Sequence, residues 1–124
     1  MGDRKIPIRV YQPTEGHRRT VILVPGLHWA GYNEERLVPF ARKVAGMGVT
    51  VVTPDIDDLK TYDITEQAVD DLEHAILWSL GKERIATKDG KIGIMGICFA
   101  GGLGLSVATR SSLKDRIAYV FTFG

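Results

Sequence analysis

The residues with the most chemical promise lie in one run, Gly96-Ile97-Cys98-Phe99-Ala100-Gly101-Gly102. A cysteine with small residues two positions to either side, here Gly96 and Ala100, has the spacing of a nucleophile elbow, a strained turn in which bulkier neighbours would collide. Between a strand and a helix, such a turn places the thiol at the helix N-terminus, where partial positive charge favours the thiolate. The Phe99 backbone N–H then faces an oxyanion formed by attack on a carbonyl. A second run, Val24-Pro25-Gly26-Leu27-His28-Trp29, closes another apolar segment with a glycine-opened turn. Its Leu27 backbone N–H is the natural second oxyanion donor. His28 either lines the pocket or approaches Cys98 as a base, although a loop histidine beside a tryptophan is most often structural.

Other readings of these residues compete. A free cysteine is commonly an inert core residue. The glycine cluster is not a dinucleotide loop, because Gly-x-Gly-x-x-Gly would need glycine where Cys98 stands, and no Gly-Lys-Ser/Thr follows. Asp55, Asp57 and Asp58 follow an apolar segment, yet without histidine or further acids at ligand spacing they read as solvated loop charges, and no metal is expected. His17, in a polar loop, and His74, among charged residues of a helix, read as surface residues.

The elements that must position these groups follow from hydrophobic period. Ile6, Ile8 and Val10 alternate with polar or proline positions, predicting a half-buried edge strand. Thr20–Val24 and Val49–Thr53 are continuous and β-branched, as in strands covered on both faces. Leu37, Phe40, Ala41 and Val44 form a helical stripe; the helix is predicted to begin near Leu37, with Pro39 in its first turn and Gly46 and Gly48 closing it. Val69, Leu72, Ile76 and Leu80 predict a helix from Thr65 to Leu80, capped by Thr65 and stopped by Gly81. Lys91–Met95 leads into the elbow, an apolar helix runs to about Arg110, and Ile117–Phe123 is a last strand. Alternation of strands and helices predicts an α/β three-layer sandwich with a mainly parallel sheet. In such sheets ligands bind where strands end and helices begin.

Composition narrows the partners. With 124 residues, 16 Lys plus Arg against 15 Asp plus Glu, and 44% hydrophobic residues, the sequence reads as one soluble domain. A net charge of +1 and no long basic run leave no electrostatic footprint for nucleic acid or an anionic membrane. No apolar run approaches the ~20 residues that span a bilayer. One cysteine forms no internal disulfide, so a cytoplasmic protein is expected.

On these features the chain resembles the α/β-hydrolase superfamily over nearly its whole length. The resemblance rests on Val21-Ile22-Leu23-Val24-Pro25-Gly26, where the family usually has His-Gly, on Gly48-Val49-Thr50-Val51-Val52-Thr53-Pro54-Asp55, and on the elbow. Cysteine in the elbow followed by Gly-Gly is similar to the dienelactone hydrolase branch. Ala100 replaces a commoner glycine, and Pro25 the usual histidine.

The resemblance implies a cofactor-free hydrolase acting on carboxylic ester, thioester or lactone bonds of small molecules. In it Cys98 forms an acyl-enzyme while Leu27 and Phe99 hold the oxyanion. It also implies a catalytic acid after the family's seventh strand and a histidine after its eighth; no histidine follows His74 here. Residues 1–124 thus resemble the N-terminal part of a hydrolase domain, ending near the family's sixth strand. The alternative is a truncated, catalytically incomplete pseudoenzyme or interaction fragment. In either case the apolar last strand is expected to leave an unpaired edge that favours self-association.

Overall fold

The computed structural model describes residues 5–14, 19–83, 85, 87, 89–97 and 100–123. Five strands, β1 (Ile8–Tyr11), β2 (Thr20–Val24), β3 (Thr50–Pro54), β4 (Ile92–Ile97) and β5 (Ile117–Phe123), form one sheet in the order β1-β3-β2-β4-β5. β1 pairs antiparallel with β3, as a proline-preceded edge strand can, and the remaining neighbours are parallel. Helices α1 (Leu37–Gly46), α2 (Asp57–Lys60), α3 (Glu66–Leu80) and α4 (Ala100–Ala108) make the crossovers. The three-layer, mainly parallel sandwich expected from the sequence is the observed architecture. Among the described residues, no helix is long and apolar enough to cross a membrane.

The β-branched runs are continuous because both faces of the central strands are covered. Ile22, Val24, Val52 and Ile94 pack with Leu72 and Ile76 of α3 and Leu103 and Val107 of α4. On the opposite face Val21, Leu23 and Val51 pack with Leu37, Ala41 and Val44 of α1. Each large apolar side chain fully buried in this way contributes roughly 1.5–3 kcal/mol relative to exposure.

Local signals fix the helix ends. α1 starts at Leu37 with Pro39 in its first turn, where the missing N–H costs nothing. Gly48, at φ +94°, turns the chain into β3. The Thr65 hydroxyl accepts a 3.0 Å hydrogen bond from the Ala68 N–H and donates one of 2.5 Å to Asp58, so it caps α3 and ties it to α2.

Two short elements have no counterpart in the sequence reading: the 3-10 turn Gly31–Asn33 and the four-residue α2. Neither is long enough to show a period. Asp55 holds them together. Its side chain is only 11% exposed, accepting from the Tyr32 N–H at 3.1 Å and from the Lys60 ammonium at 2.8 Å. Hydrogen bonding to Asp55 in turn holds the Lys60 ammonium above its ordinary range. The reading of Asp55, Asp57 and Asp58 as solvated loop charges is therefore corrected for Asp55, a half-buried structural tie, and for Asp58, which accepts from Thr65.

Toward the β5 edge of the sheet, α4 lies so close that a Cβ on Gly104 would sit 3.0 Å from Ile94 Cγ2 and 3.2 Å from Val120 Cγ1. Arg110, just beyond α4, donates to Asp70 at 2.6 Å and Glu73 at 2.8 Å, locking α4 to α3. On β5, Tyr119, Phe121 and Phe123 line the face shared with α1; Tyr119 and Phe121 are 50% and 53% exposed.

Candidate active site

The sheet order creates one topological switch point. From β2 the chain crosses to β3 on one side and returns to β4 on the other, so the connections leaving β2 and β4 diverge and open a crevice at their carboxyl ends. The residues after β2 and Ile97 at the end of β4, which belong to the two chemically promising runs, line it. Val24 is in register with Gly96, which puts Pro25-Gly26-Leu27 beside the end of β4. The approach is close: a Cβ on Gly26 would lie 3.4 Å from Ile97 Cγ2 and 3.6 Å from the Ile97 carbonyl oxygen.

A cleft of about 230 Å³ occupies the crevice. Its walls are Pro25, Gly26, Leu27 and His28 after β2, Gly31 of the 3-10 turn, Glu34, Arg36 and Leu37 at the start of α1, and Ile97 at the end of β4. Pro25 is buried, Gly26 and Leu27 are half-buried, and the Leu27 side chain packs onto the larger core cluster. The Leu27 N–H has no backbone acceptor among the described residues.

On the β4 side, Gly96 is buried within the strand and Ala100 is buried as the first residue of α4. Gly101 follows in the first turn of α4. β4 runs to Ile97 and α4 from Ala100, and Cys98 and Phe99 lie between them in the sequence. Both lie outside the described residues, and the roles expected of them rest on the sequence and on the elements that flank them.

His28 is half-buried in the cleft wall with its ring stacked on Trp29 at a centroid distance of 5.5 Å. Its Nδ1 accepts a 3.0 Å hydrogen bond from the Ala30 N–H. A ring nitrogen used as an acceptor is the unprotonated one, so the neutral ring carries its hydrogen on Nε2. His74 is not brought to this cleft. It lines a separate cleft of about 380 Å³ with Ile6, Ile8, Ala75 and Trp78. His17 lies outside the described residues.

Glu34 and Arg36 belong to the cleft and were not singled out from the sequence. Burial pushes the Glu34 carboxyl up, but hydrogen bonds from the Arg36 N–H, the Arg36 guanidinium at 2.8 Å and the Leu37 N–H at 3.1 Å outweigh it and leave it below its ordinary value. The carboxylate therefore serves the exposed N-terminus of α1. An acid three residues before the first apolar position of a helical stripe was the available signal. Among the described residues, no group of three or more His, Cys, Asp or Glu is arranged to hold a metal ion.

Solved structures share this architecture. A dienelactone hydrolase from Anabaena variabilis superposes with a TM-score of 0.76 at 18% identity, over 98% of this chain and 58% of that one. An α/β serine hydrolase homologue from Coxiella burnetii gives 0.66 at 17%, over 83% and 51%. An esterase from Pyrobaculum calidifontis gives 0.68 at 27%, over 83% and 34%. The chain has the α/β-hydrolase fold. It spans 58% or less of each of these three proteins. No protein-family model matches the chain, and no curated protein does.

Proposed function

We propose that this chain carries the nucleophile and oxyanion side of a hydrolase site for small carboxylic esters, thioesters or lactones, with Cys98 as nucleophile. The observation that carries the proposal is the packing of Gly26 against Ile97 at the switch point. It brings the turn after β2, to which Leu27 belongs, against the end of β4, the strand that precedes Cys98 in the sequence. The contact supports a reading in which Cys98 supplies a thiol before α4 and Leu27 a donor from the neighbouring strand end, the two groups that attack on an acyl carbonyl requires.

In this reading the Cys98 thiolate adds to the carbonyl carbon, and the Leu27 and Phe99 N–H groups hold the oxyanion. Collapse breaks the bond to the alkoxide, which takes a proton from water and leaves a thioester on Cys98. Water then adds to the thioester, the carbon–sulfur bond breaks, and the acid departs with the thiolate restored. The chemistry needs neither metal nor organic cofactor, and the modest, mostly apolar cleft suits a short acyl group. The near-zero net charge and single cysteine support a cytoplasmic protein that does not bind nucleic acid.

A second reading is favoured by the state of His28. With Nδ1 engaged by Ala30, the only histidine in the cleft among the described residues has no free accepting nitrogen. A chain in this condition acylates on Cys98 and stalls before turnover, which is the behaviour of a catalytically incomplete fragment.

Purified protein and Cys98→Ala, each treated with a chromogenic short-chain ester and an electrophilic thiol probe, test both readings. Burst, turnover and intact mass are followed. Turnover that disappears in Cys98→Ala supports the hydrolase, and a stoichiometric burst with acyl mass on Cys98 supports the stalled form. A thiol that neither acylates nor reacts overturns the nucleophile assignment.

A further inference from the structure

The geometry points to His28 as a hydrogen-bond donor to an oxygen of the bound acyl group, through Nε2–H, and not as the base that activates Cys98; this rests on the hydrolase reading above. Three observations combine. The ring and Leu27 are consecutive residues in the wall of the same cleft. Stacking on Trp29 and the 3.0 Å bond from Ala30 fix the ring against rotation. That bond also fixes the tautomer: with Nδ1 accepting from a backbone N–H, Nε2 holds the hydrogen and has no partner among the described residues.

For Nε2 to accept a proton, the ring would first have to move its hydrogen to Nδ1. Two N–H donors would then face each other across the Ala30 contact, and a half-buried backbone N–H would lose its acceptor, an unfavourable exchange. As a donor, the ring needs no rearrangement. An N–H on a ring that lines a cleft with many apolar walls is strong enough to hold an acyl oxygen as charge grows on it.

The test uses the intact chain labelled with ¹⁵N. Long-range ¹H–¹⁵N correlations of the His28 ring are expected to show Nδ1 unprotonated and Nε2 protonated, and titration with sodium butyrate, a carboxylate that mimics a short acyl product, is expected to shift Nε2. In parallel, the rate of Cys98 acylation by a short-chain ester is measured in the parent, His28→Phe and His28→Gln. The phenylalanine variant keeps the ring stack and loses both the Nε2 donor and the Nδ1 acceptor of the Ala30 N–H; the expected loss is about 100-fold, the size seen when one oxyanion donor is removed. Glutamine, with an amide N–H and an accepting oxygen, is expected to restore most of that rate.

A ring protonated on Nδ1, an Nε2 signal indifferent to butyrate, or a glutamine variant as slow as phenylalanine overturns the donor role. Absence of acylation in the parent overturns the nucleophile reading instead, and the two ring measurements then decide His28 independently.

Discussion

Gly26 and Ile97 meet at the carboxyl ends of adjacent parallel strands so closely that a methyl group on Gly26 would stand 3.4 Å from Ile97 Cγ2. This contact joins the two halves of the candidate site, and it gives the first expectation. Gly26→Ala should fold with a stability change within about 1 kcal/mol, because the new methyl meets Ile97 at an ordinary van der Waals distance. Gly26→Val must push the turn away from β4, and Cys98 acylation should fall by more than tenfold while the circular dichroism spectrum is retained. Equal acylation in the valine variant would show that the contact does not set the site.

The Tyr11 hydroxyl is buried and has no hydrogen-bond partner among the described residues, although its ring packs in the α1-side core. Removing it leaves the packing intact and frees an unsatisfied polar group. Tyr11→Phe is therefore expected to be neutral or to stabilise by up to about 1 kcal/mol in urea denaturation. A loss of that size would mean the hydroxyl is bonded.

Thr65 serves two partners, the Ala68 N–H and the Asp58 carboxylate. Thr65→Ala should cost about 1–2 kcal/mol, the upper part of the range for an N-cap, because Asp58 loses its donor too. Thr65→Ser keeps both bonds and should lie within about 0.5 kcal/mol of the parent.

Glu73 accepts from the Ser112 hydroxyl and from Arg110, and these bonds hold its carboxyl below the ordinary value against the opposing effect of burial. A carboxyl depressed in the folded state binds its proton less tightly there than in the unfolded chain. Its contribution is complete above the ordinary carboxylate range and is lost as pH falls through the lower folded-state value. Thermal melts from pH 7 to pH 3 should show a steeper acid decline in the parent than in Glu73→Gln. Identical slopes would rule out this linkage.

Phe121 is half-exposed on β5, and the face it shares with Tyr119 and Phe123 is only partly covered by α1. Among the described residues β5 pairs with β4 alone, leaving its other edge open in an uncharged strand. Such an edge is a template for further pairing. Concentration-dependent association of the chain is expected in sedimentation velocity and should weaken in Phe121→Lys, whose charge opposes edge-to-edge contact. A monomer at all concentrations would exclude self-association through β5.

Much of this molecule is legible locally. The β-branched runs of β2 and β3, the stripe of α1, the Thr65 cap and the limits of β5 depend on side chains within a few residues of one another, so a linear pattern carries them. The small-x-Cys-x-small spacing is local in the same sense, and it named the candidate nucleophile from the sequence alone. What the sequence could not determine is which strands become neighbours. The order β1-β3-β2-β4-β5 comes from crossovers that trade chain entropy for burial over long separations, and only that order brings Gly26 to Ile97 and opens the cleft between them. The role of Asp55 was hidden likewise, because its partners Tyr32 and Lys60 belong to short elements without a period. The tautomer of His28 is set within its own turn by the bond from the Ala30 N–H, although residue type alone does not say which nitrogen accepts it, and the tertiary fold decides only that this ring lines the cleft.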